Sequence, residues 1–245
     1  MSNEMLLILW GIGGYLLGSI PFGMLLCLMF GYGNIRNLGS GNIGATNVLR
    51  VTKSKLLALL TVIFDAAKAG VIAFIALKMV DVKTIMLGNV FCSLNVFAAL
   101  LSGTMAVIGH NFPVWLKFKG GKGVAASFGL ILATSPMTAL TALAIWIFVA
   151  AIFRYSSFAA IMSALAVPFI SFFYNDLIYT IFYTFLALLL LVRHRSNIVR
   201  LYKGEESKIS FSKSDKKMSK KTSEKAFSKT SKQTVKKTVR KKGKK

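Results

Sequence analysis

Residues 123–153 read GVAASFGLILATSPMTALTALAIWIFVAAIF. Their reading decides how many times the chain crosses a membrane. Crossing takes roughly 20 apolar residues, fewer where a helix is buried in a bundle. The stretch is either one overlong helix or two, and Ser135-Pro136 is where a break would fall, because proline favours a turn over a continuing helix. Two helices, at 123–134 and 136–153, would form a tight hairpin. Working outward, further apolar stretches lie at about 5–30, 56–79, 85–108, 158–174 and 177–192. With the hairpin the count is seven, and without it six.

Loop charge arbitrates. The connections after the first, third, fifth and seventh stretches carry Arg36, Arg50, Lys53 and Lys55; Lys117, Lys119 and Lys122; Arg154; and Arg193, Arg195, Arg200, Lys203 and Lys208. The opposite connections hold only Lys78, Asp81 and Lys83, then Ser135-Pro136, then Asn175-Asp176. Basic loops stay in the cytoplasm, which puts the C-terminus inside and the N-terminus outside. Six helices would place Arg154 and the basic C-terminus on the wrong side. The expectation is therefore an all-α, polytopic protein of the plasma membrane (the inner membrane of a cell that has two) with about seven transmembrane helices.

Composition agrees. Mean hydropathy is +0.62, 55% of residues are hydrophobic and only 16% charged, below the quarter usual in a soluble domain. The first apolar stretch outruns a signal peptide and lacks a basic leader. Cys27 and Cys92 lie inside apolar stretches, where two small buried residues are a simpler reading than a disulfide or a zinc site. No cofactor or metal is called for. Of the net charge of +23, +13 lies in residues 213–245. Residues 210–245, rich in Lys, Ser and Thr without apolar periodicity, read as a disordered cytoplasmic extension to a 1–209 membrane domain. Such a tail suits anionic lipid, or nucleic acid without specificity.

The polar motifs fall on the basic side. Arg36-Asn37-Leu38-Gly39-Ser40-Gly41-Asn42-Ile43-Gly44-Ala45-Thr46-Asn47-Val48-Leu49-Arg50 combines glycines, hydroxyls, amides and two guanidiniums, the parts that hold a phosphate. A mere connector obeying the charge rule would need only the arginines. Gly109-His110 through Gly123 includes Gly120-Gly121-Lys122-Gly123, where backbone can approach an anion and Lys122 supplies a point charge ahead of a helix. It is not a Walker A loop, because Gly123 stands where Ser or Thr would bind Mg²⁺. Arg193-His194-Arg195-Ser196-Asn197 follows the last stretch, and on a helix His194 and Asn197 share a face. Asp65 and Lys68, three apart inside an apolar stretch, suit either a local pair or a contribution to the site. Arg154-Tyr155-Ser156-Ser157 brings hydroxyls to the same boundary, for the pocket or for capping the next helix.

These segments, with Gly18-Ser19-Ile20-Pro21-Phe22-Gly23 and Phe64-Asp65-Ala66-Ala67-Lys68, resemble in order the motifs of the acyl-phosphate-dependent glycerol-3-phosphate acyltransferases of the PlsY type. The resemblance spans about residues 5–209. It implies a bacterial enzyme with seven membrane helices and a cytoplasm-facing site. The implied reaction moves an acyl group from acyl phosphate to glycerol 3-phosphate, giving 1-acyl-glycerol 3-phosphate (lysophosphatidic acid) and phosphate, the first step of phospholipid synthesis. Membrane lipids would retain the acyl chain at about 0.8 kcal/mol per buried CH₂.

The resemblance also implies roles. Ser40, Asn42, Thr46, Asn47 and Arg50 would bind substrate phosphate, as would Lys122 with Gly120 and Gly121, and Ser157. Ser40, His194 and Asn197 are the candidate catalytic residues, the last two near the reacting hydroxyl. Its proton would pass to His194 or to substrate phosphate; a covalent role for Ser40 lacks a neighbouring base. The His-x₄-Asp dyad of other glycerol-phosphate acyltransferases is absent, since Trp115 and Val199 stand five residues after His110 and His194. A second serine that relatives carry after the Arg-Tyr pair is replaced by Phe158-Ala159-Ala160. The rival reading is a transporter of a phosphorylated solute, which would show internal repeats and interrupted helices in matching halves. No such repeat is evident.

Overall fold

The computed structural model describes residues 2–88 and 90–209; the basic tail expected at 210–245 lies outside the described residues. Ten helices are described: α1 (Asn3–Gly18), α2 (Phe22–Met29), α3 (Ala45–Thr52), α4 (Lys55–Met79), α5 (Leu94–Asn111), α6 (Val124–Thr134), α7 (Pro136–Phe153), α8 (Ser156–Tyr174), α9 (Leu177–Arg193) and α10 (Arg195–Tyr202). Asn3–Met29, Lys55–Met79, Leu94–Leu116, Pro136–Phe153 and Ser156–Tyr174 are long and apolar enough to cross a membrane. The α9–α10 pair, bent by 57°, makes a sixth such segment, and Val124–Thr134 is apolar but shorter. The chain is a multi-pass membrane protein built from helices.

The break at Ser135 falls where proline was expected to put it. Pro136 occupies the first turn of α7, where its missing N–H is no loss. Ser135 leaves the helical region (φ −149°), and its hydroxyl donates to Thr138 Oγ1 at 2.8 Å. The stretch expected at 5–30 is found as the single span Asn3–Met29, kinked into two helices at Ser19–Pro21 because Pro21 cannot continue α1. One expectation needs correction. The stretch expected at 85–108 does not start as helix. Thr84–Leu87 (β1) and Val90–Ser93 (β2) form an antiparallel hairpin paired Thr84 to Ser93. Gly88, at φ +60°, supplies the turn that β-rich neighbours close into a hairpin. Only from Leu94 does the chain become α5.

α1 packs on α5, α4 lies against both α5 and α6, and α7, α8 and α9 follow in sequence. Lipid offers no hydrophobic force between helices, so close backbone approach must hold them. Ala69, Ala73, Ala98, Ala99, Ala106 and Ala126 are all buried at that interface. Gly129 of α6 lies so near α4 that a β-carbon would collide with the Ala66 carbonyl. Outward, Ile8, Leu56, Phe148 and Phe173 are exposed, as a lipid-facing surface requires.

The intramembrane charges are paired and buried. Lys68 Nζ pairs with the Asp65 carboxylate, Oδ1 at 3.0 Å, donates to the Ile20 carbonyl at 3.0 Å and lies 2.8 Å from His110 Nδ1. His110 Nδ1 also lies 3.4 Å from Asp65 Oδ1, so the three side chains form one cluster. The cluster therefore ties α2's entry, α4 and α5 together at the depth where the site begins.

Candidate active site

The first polar loop is shaped by Asn47 in the first turn of α3. Its side-chain amide donates to the carbonyls of Asn42 (2.8 Å), Leu38 (3.1 Å) and Ile35 (3.3 Å), while Oδ1 accepts from the Ser40 N–H at 2.8 Å. Asn42 Oδ1 in turn accepts from the Gly44 N–H at 2.8 Å. Curled in this way, the loop presents Ser40 and Thr46 to open space and leaves Arg50 on the following turn. Arg36 goes elsewhere, toward the Leu116 carbonyl.

The second loop enters from α5. His110 is buried beneath it, and a β-carbon at Gly121 would strike the His110 ring. Arg193 of α9 clamps the same glycines. Its guanidinium donates to the Gly120 carbonyl at 3.0 Å and the Gly121 carbonyl at 2.8 Å, and stacks over Phe112 at 4.9 Å. Gly123, at φ +84°, then turns the chain into α6. Held between these constraints, Lys122 points inward and donates to Asn197 Oδ1 of α10.

The third group gathers on Glu206, which follows α10. Glu206 Oε1 accepts from Ser157 Oγ and Asn197 Nδ2, each at 2.7 Å, and Oε2 accepts from Arg200 Nε at 2.7 Å. Ser207 Oγ accepts from Arg50 at 2.9 Å. The segment is pinned beyond by Arg154, whose guanidinium reaches the Ile209 carbonyl and whose own carbonyl accepts from the Ile209 N–H at 2.6 Å. His194 lies at the α9–α10 bend, 2% exposed. Its Nδ1 is 2.9 Å from the Leu190 carbonyl. A carbonyl only accepts, so Nδ1 carries the proton and Nε2 keeps a lone pair.

One cavity of ≈ 440 Å³ joins these groups. Of the residues singled out from sequence, Ser40, Asn42, Thr46, Asn47, Arg50, Lys122, Ser157, His194 and Asn197 line it. Gly120 and Gly121 do not; they form the floor on which Lys122 is carried, their carbonyls occupied by Arg193. Asn47 borders the cavity but its hydrogen bonds are taken up by the loop. Sequence reading left open a contribution from Asp65, which lines the cavity, and missed Glu206, Arg200, Ser207 and the lining contribution of His110. An acidic pair, Glu205-Glu206, in an otherwise basic stretch was the only available signal.

The electrostatics follow from this crowding. Burial pushes the Lys122 ammonium down to about 8 from its usual 10.5, and Arg200, Arg50 and Arg193 push the same way against the attraction of Glu206. Burial would raise the Glu206 carboxyl, but hydrogen bonds from Ser157, Asn197 and Arg200 outweigh it and hold the group below its ordinary value. Below this polar mouth the cavity continues between α6, α7, α8 and α9 as an apolar arm, past Phe128, Trp146 and Leu190 to Ile131, Val167 and Tyr183. A mouth of cations over a greasy arm suits a molecule with an anionic head and a hydrocarbon tail.

Known proteins share this architecture. Residues 8–204 match the family model described as glycerol-3-phosphate acyltransferase. A glycerol-3-phosphate acyltransferase of Rhodospirillum rubrum is 47% identical over 204 residues, covering 82% of this chain and 90% of that protein. One from Maricaulis maris is 46% identical over 215 residues, covering 88% and 93%. The crystal structure of PlsY, an integral membrane glycerol 3-phosphate acyltransferase in its glycerol 3-phosphate form, superposes with a TM-score of 0.72 at 33% identity, covering 83% of this chain and 96% of that one. With the family's model spanning nearly all of its described residues, and the same helical fold around one cavity, this chain belongs to the glycerol-3-phosphate acyltransferase family.

Proposed function

We propose that the protein transfers an acyl group from acyl phosphate to glycerol 3-phosphate, giving lysophosphatidic acid and phosphate, at the cytoplasmic face of the plasma membrane. The observation that carries this reading is the single cavity in which Arg50, Lys122 and Arg200 meet an apolar arm. Two solved PlsY structures hold, by their descriptions, glycerol 3-phosphate and lysophosphatidic acid, the acceptor and product of the same reaction.

In this reading Arg50 and Lys122 bind phosphate, with hydroxyls from Ser40, Thr46 and Ser157 and the Asn42 amide around them. Asn197 and His194 hold the attacking hydroxyl. The hydroxyl oxygen bonds to the acyl carbonyl carbon, the bond from that carbon to the phosphate oxygen breaks, and the hydroxyl proton leaves with the phosphate. His194 Nε2, with its free lone pair, orients the O–H during that transfer. Acyl phosphate is already activated, so the protein contributes positioning and charge stabilisation more than covalent chemistry.

The test is an assay of purified protein with labelled glycerol 3-phosphate. Product should form with acyl phosphate and not with acyl-CoA. Equal use of the thioester would overturn the donor assignment.

A further inference from the structure

The apolar arm has a defined length and a defined end. Along α9 the lining runs from His194 to Tyr183, and along α8 from Ser156 to Val167. Each run is twelve residues, eleven steps, a depth of about 16 Å at 1.5 Å per step. Both stop at one level, where Ile131 of α6 and Ala142 of α7 also line the cavity.

At that level stands Tyr183. It is fully buried, and its hydroxyl is 2.7 Å from Thr134 Oγ1 at the end of α6. The ring, which lines the arm, is thereby anchored and cannot swing aside without abandoning a buried hydrogen bond. Beyond it the interior is polar. Ser135 Oγ donates to Thr138 Oγ1 at 2.8 Å, Asn175 Nδ2 donates to Thr138 Oγ1 at 3.0 Å, and Thr180 Oγ1 donates to Ser171 Oγ at 3.3 Å. None of these side chains lines the cavity. A hydrocarbon terminus forced past Tyr183 would have to displace their hydrogen bonds.

We infer that Tyr183 is the end stop that measures the acyl chain: the chain lies down the arm with its terminal methyl against the phenol ring. This rests on the acyl-transfer reading and adds a specificity-determining residue to it. The carbonyl end is fixed at the mouth by the reacting groups, so chain length is read at the far end. The arm's end is walled by protein: Tyr183, Val167, Leu186 and Leu190 are all at or below 5% exposure, although Val62 and Leu143, which also line the cavity, are exposed. A chain lying in bilayer would meet no such limit.

The experiment offers the purified full chain acyl phosphates of increasing length and measures kcat/KM for each. In Tyr183→Ala the ratio of long to optimal chains should rise about tenfold, the discrimination that a methylene's worth of pocket supplies. Tyr183→Phe keeps the ring but frees it from Thr134, and should shift the profile much less than Tyr183→Ala. Val167→Phe narrows the arm at the same level and should move the optimum to shorter chains. An unchanged profile in Tyr183→Ala overturns the inference, as does a shift in Tyr183→Phe equal to that in Tyr183→Ala. If Tyr183→Ala does not fold, an unshifted optimum in Val167→Phe overturns it instead. A wild-type protein inactive with every chain length would sink the acyl-phosphate reading itself, a result distinct from activity with no length preference.

Discussion

At the scale of single residues, the site depends on a lysine kept charged where charge is costly. Lys122 is partly buried, beside three guanidiniums, and is balanced by Asn197 and Glu206. A phosphate dianion would relieve that strain, which makes Lys122 a strong partner for substrate. Lys122→Ala should lower kcat/KM by roughly 30- to 150-fold, the worth of a charge-assisted hydrogen bond of about 2–3 kcal/mol. Near-normal kinetics would show the lysine misassigned. The pH dependence has a definite sign. The ammonium is the binding form, so kcat/KM should be full below about 8 and fall as pH rises through it. Stability should move oppositely: between about 8 and the unfolded value of 10.5 the unfolded chain holds more protons, so the Lys122 contribution favours the fold as pH rises. Lys122→Arg should shift the activity limb to higher pH, because a guanidinium does not titrate there. Most of this was legible in sequence, since a lysine among glycines ahead of a helix announces an anion. That Gly120 and Gly121 serve Arg193 rather than the cavity was not legible, because a glycine's neighbour across the fold leaves no trace in local spacing.

Helices and loops carry a second layer of consequences. α4 and α6 cross at Gly129, where backbone, not a movable side chain, fills the space a β-carbon would need. Gly129→Ala should destabilise by about 1–3 kcal/mol through overpacking, read as a lower Tm of the purified protein. Gly13, with nothing within 4 Å of a β-carbon, is the control, and Gly13→Ala should be neutral or slightly stabilising. Equal effects at both positions would refute the close crossing. The segment after α10 is a different case. It lays the Glu206 carboxylate, its side chain 8% exposed, on three donors that a phosphate could use. Two anions on one donor set repel, so Glu206→Ala should tighten binding of inorganic phosphate about tenfold, about 1.4 kcal/mol, measurable by titration calorimetry. Weaker binding would mean that the carboxylate organises the donors instead of competing for them. Sequence periodicity found the helices but could not find this strap, whose position is set by long-range bonds from Arg50 and Arg154.

Across the whole molecule, apolar stretches and loop charge were enough to read helix order, because hydrocarbon forbids unsatisfied backbone and leaves the chain little choice. They did not disclose the hairpin at Thr84–Ser93, where Gly88 and strand pairing interrupt an apolar run. They did show α6 to be short. α6 has 11 residues and α7 has 18, about 16 Å and 27 Å, and the two share a tip at Ser135. α6 therefore begins nearer that tip than α7 ends, which carries Lys122 below the level of Arg154 and into the cavity. This hairpin leaves both its ends on one side whether or not the tip reaches the far surface. The sidedness read from loop charge is thus independent of how far α6 extends, and it can be tested directly. In a chain whose buried Cys27 and Cys92 have been replaced, single cysteines at Val82 and Asp176 should react with a membrane-impermeant maleimide in cells whose plasma membrane is intact and accessible to it. Cysteines at Lys119 and Lys203 should react only after lysis, since their connections carry the lysines and arginines retained in the cytoplasm. The reverse pattern would place the cation-lined mouth outside, away from cytoplasmic glycerol 3-phosphate, and the proposed reaction could not proceed there. Labelling of Lys119→Cys and Lys203→Cys on opposite sides would instead break the hairpin, because the path from one to the other would then cross an odd number of times.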